Sequence, residues 1–139
     1  MSFAGVNYIA VIIAALAGFG LGAIWYTLLA KPWMHAAGLT EAECKERNQG
    51  AAKIVPFVIS IVALFVMAWM LAGVMGHIGD ISIRGGVITG FFVWLGFVIT
   101  SMGVNHAFGG AKPMLTAIDG FYWLAVLLIQ GAVIGAFGV

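Results

Sequence analysis

Charge is scarce in this sequence. Only 8% of its 139 residues are Asp, Glu, Lys or Arg, against about 25% in an ordinary soluble domain. A globule of this length needs polar side chains to cover its surface in water, so a soluble fold is excluded. With 63% hydrophobic residues, an expanded disordered chain is excluded as well. Six Lys and Arg against five Asp and Glu give no basic stripe, so nucleic acid is not an expected partner. A single cysteine, Cys44, cannot close an internal disulfide. Of the three prolines, Pro32 and Pro113 fall between apolar runs, and Pro56 falls in the first turn of one, where a missing N–H matters least.

Long apolar runs take the place of charge. A helix needs roughly 20 apolar residues to cross the hydrocarbon core. Four segments have that length, at about residues 6–30, 54–75, 85–105 and 114–139, and Asp119 is the only charged side chain inside them. These runs predict an all-α membrane protein, a four-transmembrane-helix bundle in which residues 1–139 form a single integral membrane domain in the lipid bilayer. The first run is longer than the roughly 7–15 apolar residues of a signal peptide and no Lys or Arg precedes it, so it reads as a retained span.

The remaining charge sets an orientation. Lys31, Lys45, Arg47 and Lys53 follow the first run and Lys112 follows the third, while only Arg84 lies between the second and third. Cationic loops face the cytoplasm, so both termini are expected on the outer side. Trp25, Tyr26, Trp33, Tyr122 and Trp123 read as aromatic anchors at the inner interface. Between the first two spans, Thr40 followed by Glu43 has the form of a capping box. It predicts a short amphipathic cytoplasmic helix between helices 1 and 2, either a docking surface for a partner or a solvated connector.

Small residues recur at four-residue spacing inside the spans: Gly18 and Gly22, Ala68 and Ala72, Gly86 and Gly90, Gly131 and Gly135. In lipid no hydrophobic force draws helices together, and such pairs permit the close approach that does. They suggest tight packing within the chain, between copies in a homo-oligomer, or against a membrane-protein partner. Polar residues are the other exception. Asp119 and Gln130 are eleven residues apart, as are Thr89 and Thr100, and at about 100° per residue eleven steps return to nearly the same face. With Asn105 they define a candidate polar seam on helices 3 and 4. It would serve either as an ion or solute route or as a set of local pairings and interhelical hydrogen bonds. His35, Cys44 and His106 have no metal-ligand spacing, and Gly18, Gly20 and Gly22 lack the dinucleotide-loop spacing. No metal or cofactor is expected, and no catalytic constellation suggests an enzyme. Ala30-Lys31-Pro32 and Ala111-Lys112-Pro113 echo each other after the first and third spans, a hint of two repeated hairpins.

Several short motifs run in order along the chain: Val6-Asn7-Tyr8, Leu21-Gly22-Ala23-Ile24-Trp25-Tyr26, Trp33-Met34, Gly38-Leu39-Thr40, Val66-Met67-Ala68, Trp94-Leu95-Gly96-Phe97-Val98, Asn105 with Phe108-Gly109-Gly110, and Gly120-Phe121-Tyr122-Trp123. In these the chain resembles a family of small bacterial membrane proteins catalogued as domain of unknown function 1761. The resemblance implies four spans in a bacterial inner membrane and marks Asn7, Trp25, Tyr26 and Asn105, with no activity attached. A structural or accessory protein, self-associating or packing on a partner through its glycine faces, is the leading expectation. An oligomeric channel or carrier for a small solute or ion is the alternative.

Overall fold

A computed structural model describes residue 3 and residues 5–138. In chain order the helices are α1 (Tyr8–Leu28), α2 (Ala30–Ala37), α3 (Glu41–Arg47), α4 (Ala51–Ile78), α5 (Ile83–Val93), a π-helical turn (Trp94–Val98), α6 (Ile99–Phe108) and α7 (Pro113–Phe137). The π turn joins α5 and α6 into one rod. Four helices, Tyr8–Leu28, Ala51–Ile78, Ile83–Phe108 and Pro113–Phe137, are long and apolar enough to cross a membrane. The expected end of the fourth run, Val139, lies outside the described residues.

The helix ends follow from local chemistry. Asn7 caps α1, its Oδ1 accepting from the N–H groups of Ile9 (3.1 Å) and Ala10 (3.2 Å). Gly38 closes α2 in the left-handed region at φ +71°, where the amide of Leu39 reaches back to the Met34 carbonyl (2.9 Å). Thr40 Oγ1 accepts from the Glu43 N–H (3.2 Å) at the start of α3. The Glu43 carboxylate accepts from the Thr40 hydroxyl, whereas in a full capping box it would accept from the Thr40 amide. Two short helices, α2 and α3, therefore link the first two spans, and Trp33 belongs to the first of them. Helix α4 begins earlier than the apolar run suggests, at Ala51, so Pro56 sits inside the helix and not in its first turn. Its ring removes the N–H that would have bonded the Ala52 carbonyl. The two Ala-Lys-Pro segments are not equivalent. Ala30 to Pro32 open the short α2, while Pro113 is the first residue of the long α7.

Helix α7 is the centre of the bundle. It packs most closely on α5 and α1, and also on α4, α6 and α2, while α1 packs on α4. Val11, Ala14, Ala68, Leu71, Ala72, Met75, Trp94, Leu127 and Ile134 form one core cluster. Ala15, Leu64, Tyr122 and Val126 form a second. The outer faces are strongly apolar: Ile59 is 62% exposed, Phe92 62% and Phe97 74%. Apolar surface on this scale marks contact with lipid or with another apolar surface.

The glycine pairs pack within the chain. Gly86 of α5 and Gly131 of α7 meet backbone to backbone, and a Cβ on either would overlap the carbonyl of the other. A Cβ on Gly90 would stand 2.6 Å from the Leu127 carbonyl oxygen, and one on Gly135 would overlap the Ser82 carbonyl. On α1, a Cβ on Gly18 would lie 2.9 Å from Leu64 Cδ2, and one on Gly22 would lie 2.8 Å from the Tyr122 hydroxyl. All six of these glycines thus pack against other helices of the same chain, one of the arrangements their spacing allowed.

The π turn changes the phase of the third span. Ile99 N–H bonds the Trp94 carbonyl five residues back, which accommodates one extra residue and rotates the rest of the span by about 100°. The Thr100 hydroxyl donates to the Gly96 carbonyl (2.9 Å) and the Ser101 hydroxyl to the Phe97 carbonyl (2.6 Å). Both acceptors lie in the turn, where lipid offers no water to satisfy them.

Candidate functional site

Asp119, Tyr122, Val126 and Gln130 fall on one stripe of α7, at steps of three, four and four residues. The stripe faces α1 and α4. Tyr26 of α1 donates to Asp119 Oδ1 (2.7 Å), Tyr122 donates to the Gly18 carbonyl (3.0 Å), and Gln130 Nε2 donates to the Leu64 carbonyl (3.1 Å). Two indoles bind the backbone on either side of Asp119. Trp25 Nε1 of α1 donates to the Ile118 carbonyl (3.1 Å), and Trp94 Nε1 of the π turn donates to the Gly120 carbonyl (2.7 Å). Gly120 itself has no room for a Cβ, which would stand 2.6 Å from Ile99 Cδ1. The segment around Asp119 is therefore held by α1 and by the third span together. Gln130 is fully buried, and among the described residues its Oε1 has no hydrogen-bond partner, nor has Trp69 Nε1.

The five residues expected to form one seam are not brought together. Asp119 and Gln130 share a face, as their spacing predicts, but that face meets α1 and α4 and not the third span. Thr89 lines a separate cavity of about 340 Å³ with Asp80 and Phe92. Thr100 is exposed and bonds its own helix, and Asn105 is exposed on α6. The π turn is the reason: eleven residues return a regular helix to the same face, but not across an inserted residue. Gly96 and Gly103, on that side of the helix, would meet nothing within 4 Å.

The aromatic residues also have another role than the one their positions suggested. Trp25, Tyr26 and Tyr122 turn their polar atoms into the bundle, and Trp94, to which the sequence attached no site role, does the same. A usable signal was present. An indole N–H or phenol in an apolar chain must find an acceptor, so aromatic donors mark interhelical contacts as well as interfaces. Three of the four family marks thereby gain a structural role: Asn7 as a cap, Trp25 and Tyr26 as the clasp on α7. The fourth, Asn105, makes its backbone bond to Gly109 (3.0 Å).

Beside the clasp lies a cavity of about 1050 Å³, at the upper end of the roughly 300–1,000 Å³ of small-molecule pockets. Phe19, Gly22, Ala23 and Tyr26 of α1 form one wall. Pro56, Phe57, Ser60 and Leu64 of α4 form another, and Asp119, Tyr122 and Trp123 of α7 a third. Trp33 and Met34 of α2, Cys44 of α3 and Met102 of α6 also line it, with Thr27 and Asn48 as further polar side chains. Asp119 is the only charged side chain among the described lining residues, with no Lys, Arg or His beside it. It lies six residues past Pro113, the first residue of α7, about 9 Å along the helix. The lining belongs to one half of the spans, the half nearest α2 and α3, and the other halves of α1, α4 and α7 contribute nothing to it.

This half is also the basic end. Lys112 Nζ, after α6, donates to the His35 carbonyl of α2 (3.1 Å), so the first and third connectors meet. Nearby, His106 Nδ1 and Thr116 Oγ1 are hydrogen-bonded at 2.7 Å.

The family described as protein of unknown function (DUF1761) matches residues 9–135. No curated protein and no solved structure matches the chain.

Proposed function

The chain belongs to the DUF1761 family, whose description carries no activity, and we propose from the geometry that it is a membrane protein that binds a small amphipathic solute. The observation that carries this reading is the cavity of about 1050 Å³ with the Asp119 carboxylate in its wall. Apolar and aromatic walls with a few polar groups, here Thr27, Asn48 and Ser60 beside the charged Asp119, are the usual make-up of a small-molecule site. Its lining comes from one half of α1, α4 and α7, so a one-ended binding site fits better than a pore. The carrier alternative raised by the sequence survives in this form, with its polar wall moved to α1 and α7.

In this reading the basic connectors face the cytoplasm and both termini face outward, in a bacterial inner membrane. Solute then enters the half of the bundle nearest the cytoplasm. A second copy or a membrane partner would use the lipid-facing surfaces of α4 and α6, because the glycine stripes are occupied.

Thermal unfolding in detergent, repeated with a panel of cavity-sized amphiphiles, tests the proposal, since a ligand that binds only the folded state raises the unfolding temperature. Some members should stabilise the natural protein and fail to stabilise Ser60→Trp, which fills the cavity. Ile59→Trp, on the lipid face next to it, should behave as the natural protein does. Equal responses from the two variants would refute a ligand site in the cavity.

A further inference from the structure

Resting on the cavity as a binding site, we propose that its ligand is an organic cation with an apolar body, with Asp119 as the counter-ion. The carboxylate stands about 9 Å inside a span, where an unpaired charge is costly. Tyr26 supplies one hydrogen bond to it, and the described lining supplies no cation. The described lining thus supplies no charge to balance an ionised Asp119, and a bound cation would supply it. An anion would meet repulsion strengthened by the low dielectric, and a neutral molecule would leave the carboxylate unbalanced.

The rest of the wall selects the same class. Phe19, Tyr26, Trp33, Phe57, Tyr122 and Trp123 place six aromatic side chains around the space, and aromatic faces attract cations. The hydroxyls of Tyr26 and Tyr122 are engaged with Asp119 and the Gly18 carbonyl, so these rings offer faces and not donors. A bare metal ion fits poorly: the described lining holds one carboxylate and no histidine, in a volume of about 1050 Å³ that suits a molecule.

Tetraphenylphosphonium and tetraphenylborate have the same shape and opposite charge, which makes them suitable probes. Their binding would be measured by equilibrium dialysis against the protein in phosphatidylcholine nanodiscs, with empty nanodiscs as the baseline. The natural protein should bind the phosphonium at least ~10-fold more tightly than the borate above that baseline. Asp119→Asn should abolish the preference, and Asp119→Glu should retain most of it. Equal binding of the two ions by the natural protein, or a preference that survives in Asp119→Asn, would overturn the cation assignment and leave the cavity reading standing. If neither ion binds above the baseline and Ser60→Trp also leaves every amphiphile response unchanged, the cavity reading itself fails.

Discussion

Replacing Gly86 by Ala should separate α5 from α7. The added methyl group would overlap the Gly131 carbonyl, and the obstructing atoms are backbone, so no side chain can turn aside to make room. Restoring ordinary contact requires the helices to part by about 1.5 Å, and a gap of that size forfeits about half or more of the dispersion attraction along the seam. In lipid that attraction is the main force holding the pair, since apolar burial contributes little. Overpacking of this kind costs about 1–3 kcal/mol, and with both partners being backbone the upper figure applies, ~3 kcal/mol. Gly20→Ala is the matched control. Gly20 is exposed on α1, with nothing within 4 Å of the point where its methyl group would stand, and there Ala should gain about 0.5–1 kcal/mol of helix stability. Titration from mild detergent into dodecyl sulfate, followed by circular dichroism, gives both unfolding free energies. The shift for Gly86→Ala should not depend on protein concentration, because the contact is within one chain. If Gly86→Ala falls within ~0.5 kcal/mol of Gly20→Ala, the close α5–α7 contact is wrong. A concentration-dependent loss would place the glycine face between chains.

Two further outcomes rest on single residues. Gln130→Leu should change stability by less than ~1 kcal/mol in the same titration, because it removes an unpartnered buried oxygen together with the bond to Leu64, whereas Gln130→Ala should cost about 2–3 kcal/mol through the void it leaves. Cys44 is the sole cysteine and lies at the basic end, so an impermeant maleimide should label it in inside-out vesicles and not in right-side-out ones; the reverse pattern would invert the proposed orientation.

The parts of this fold that were legible in the sequence are those with strong local contrast. Four apolar runs against polar connectors located the long helices, and Thr40 marked a helix start through its own side chain. The glycine pairs at 86, 90, 131 and 135 announced close packing, though not that they would meet each other. Two features were hidden for physical reasons. The π turn lies in Trp94-Leu95-Gly96-Phe97-Val98, where every residue is apolar or glycine, so a one-residue change of phase leaves no trace in the hydrophobic pattern. The pairing of Tyr26 with Asp119 joins positions 93 residues apart, and no local rule relates them. Asp119 itself stood out as a lone charge in a span, but its partner could not be chosen from spacing.

The central place of α7 has a consequence for biogenesis. Every other long helix leans on it, yet it follows all of them in the chain and is synthesised after them. When the first three spans have entered the bilayer, only α1 and α4 have their mutual packing surface, together with the smaller contact of α4 on α5. Gly86 and Gly90 still face acyl chains, and Trp25 and Trp94 have not yet met the Ile118 and Gly120 carbonyls. The two indoles, the glycine seam and the wall of the cavity are all completed by one event, the insertion of residues 113–137. Assembly of these four helices is thus concentrated in that one step, and a chain halted at Lys112 would be inserted without being folded.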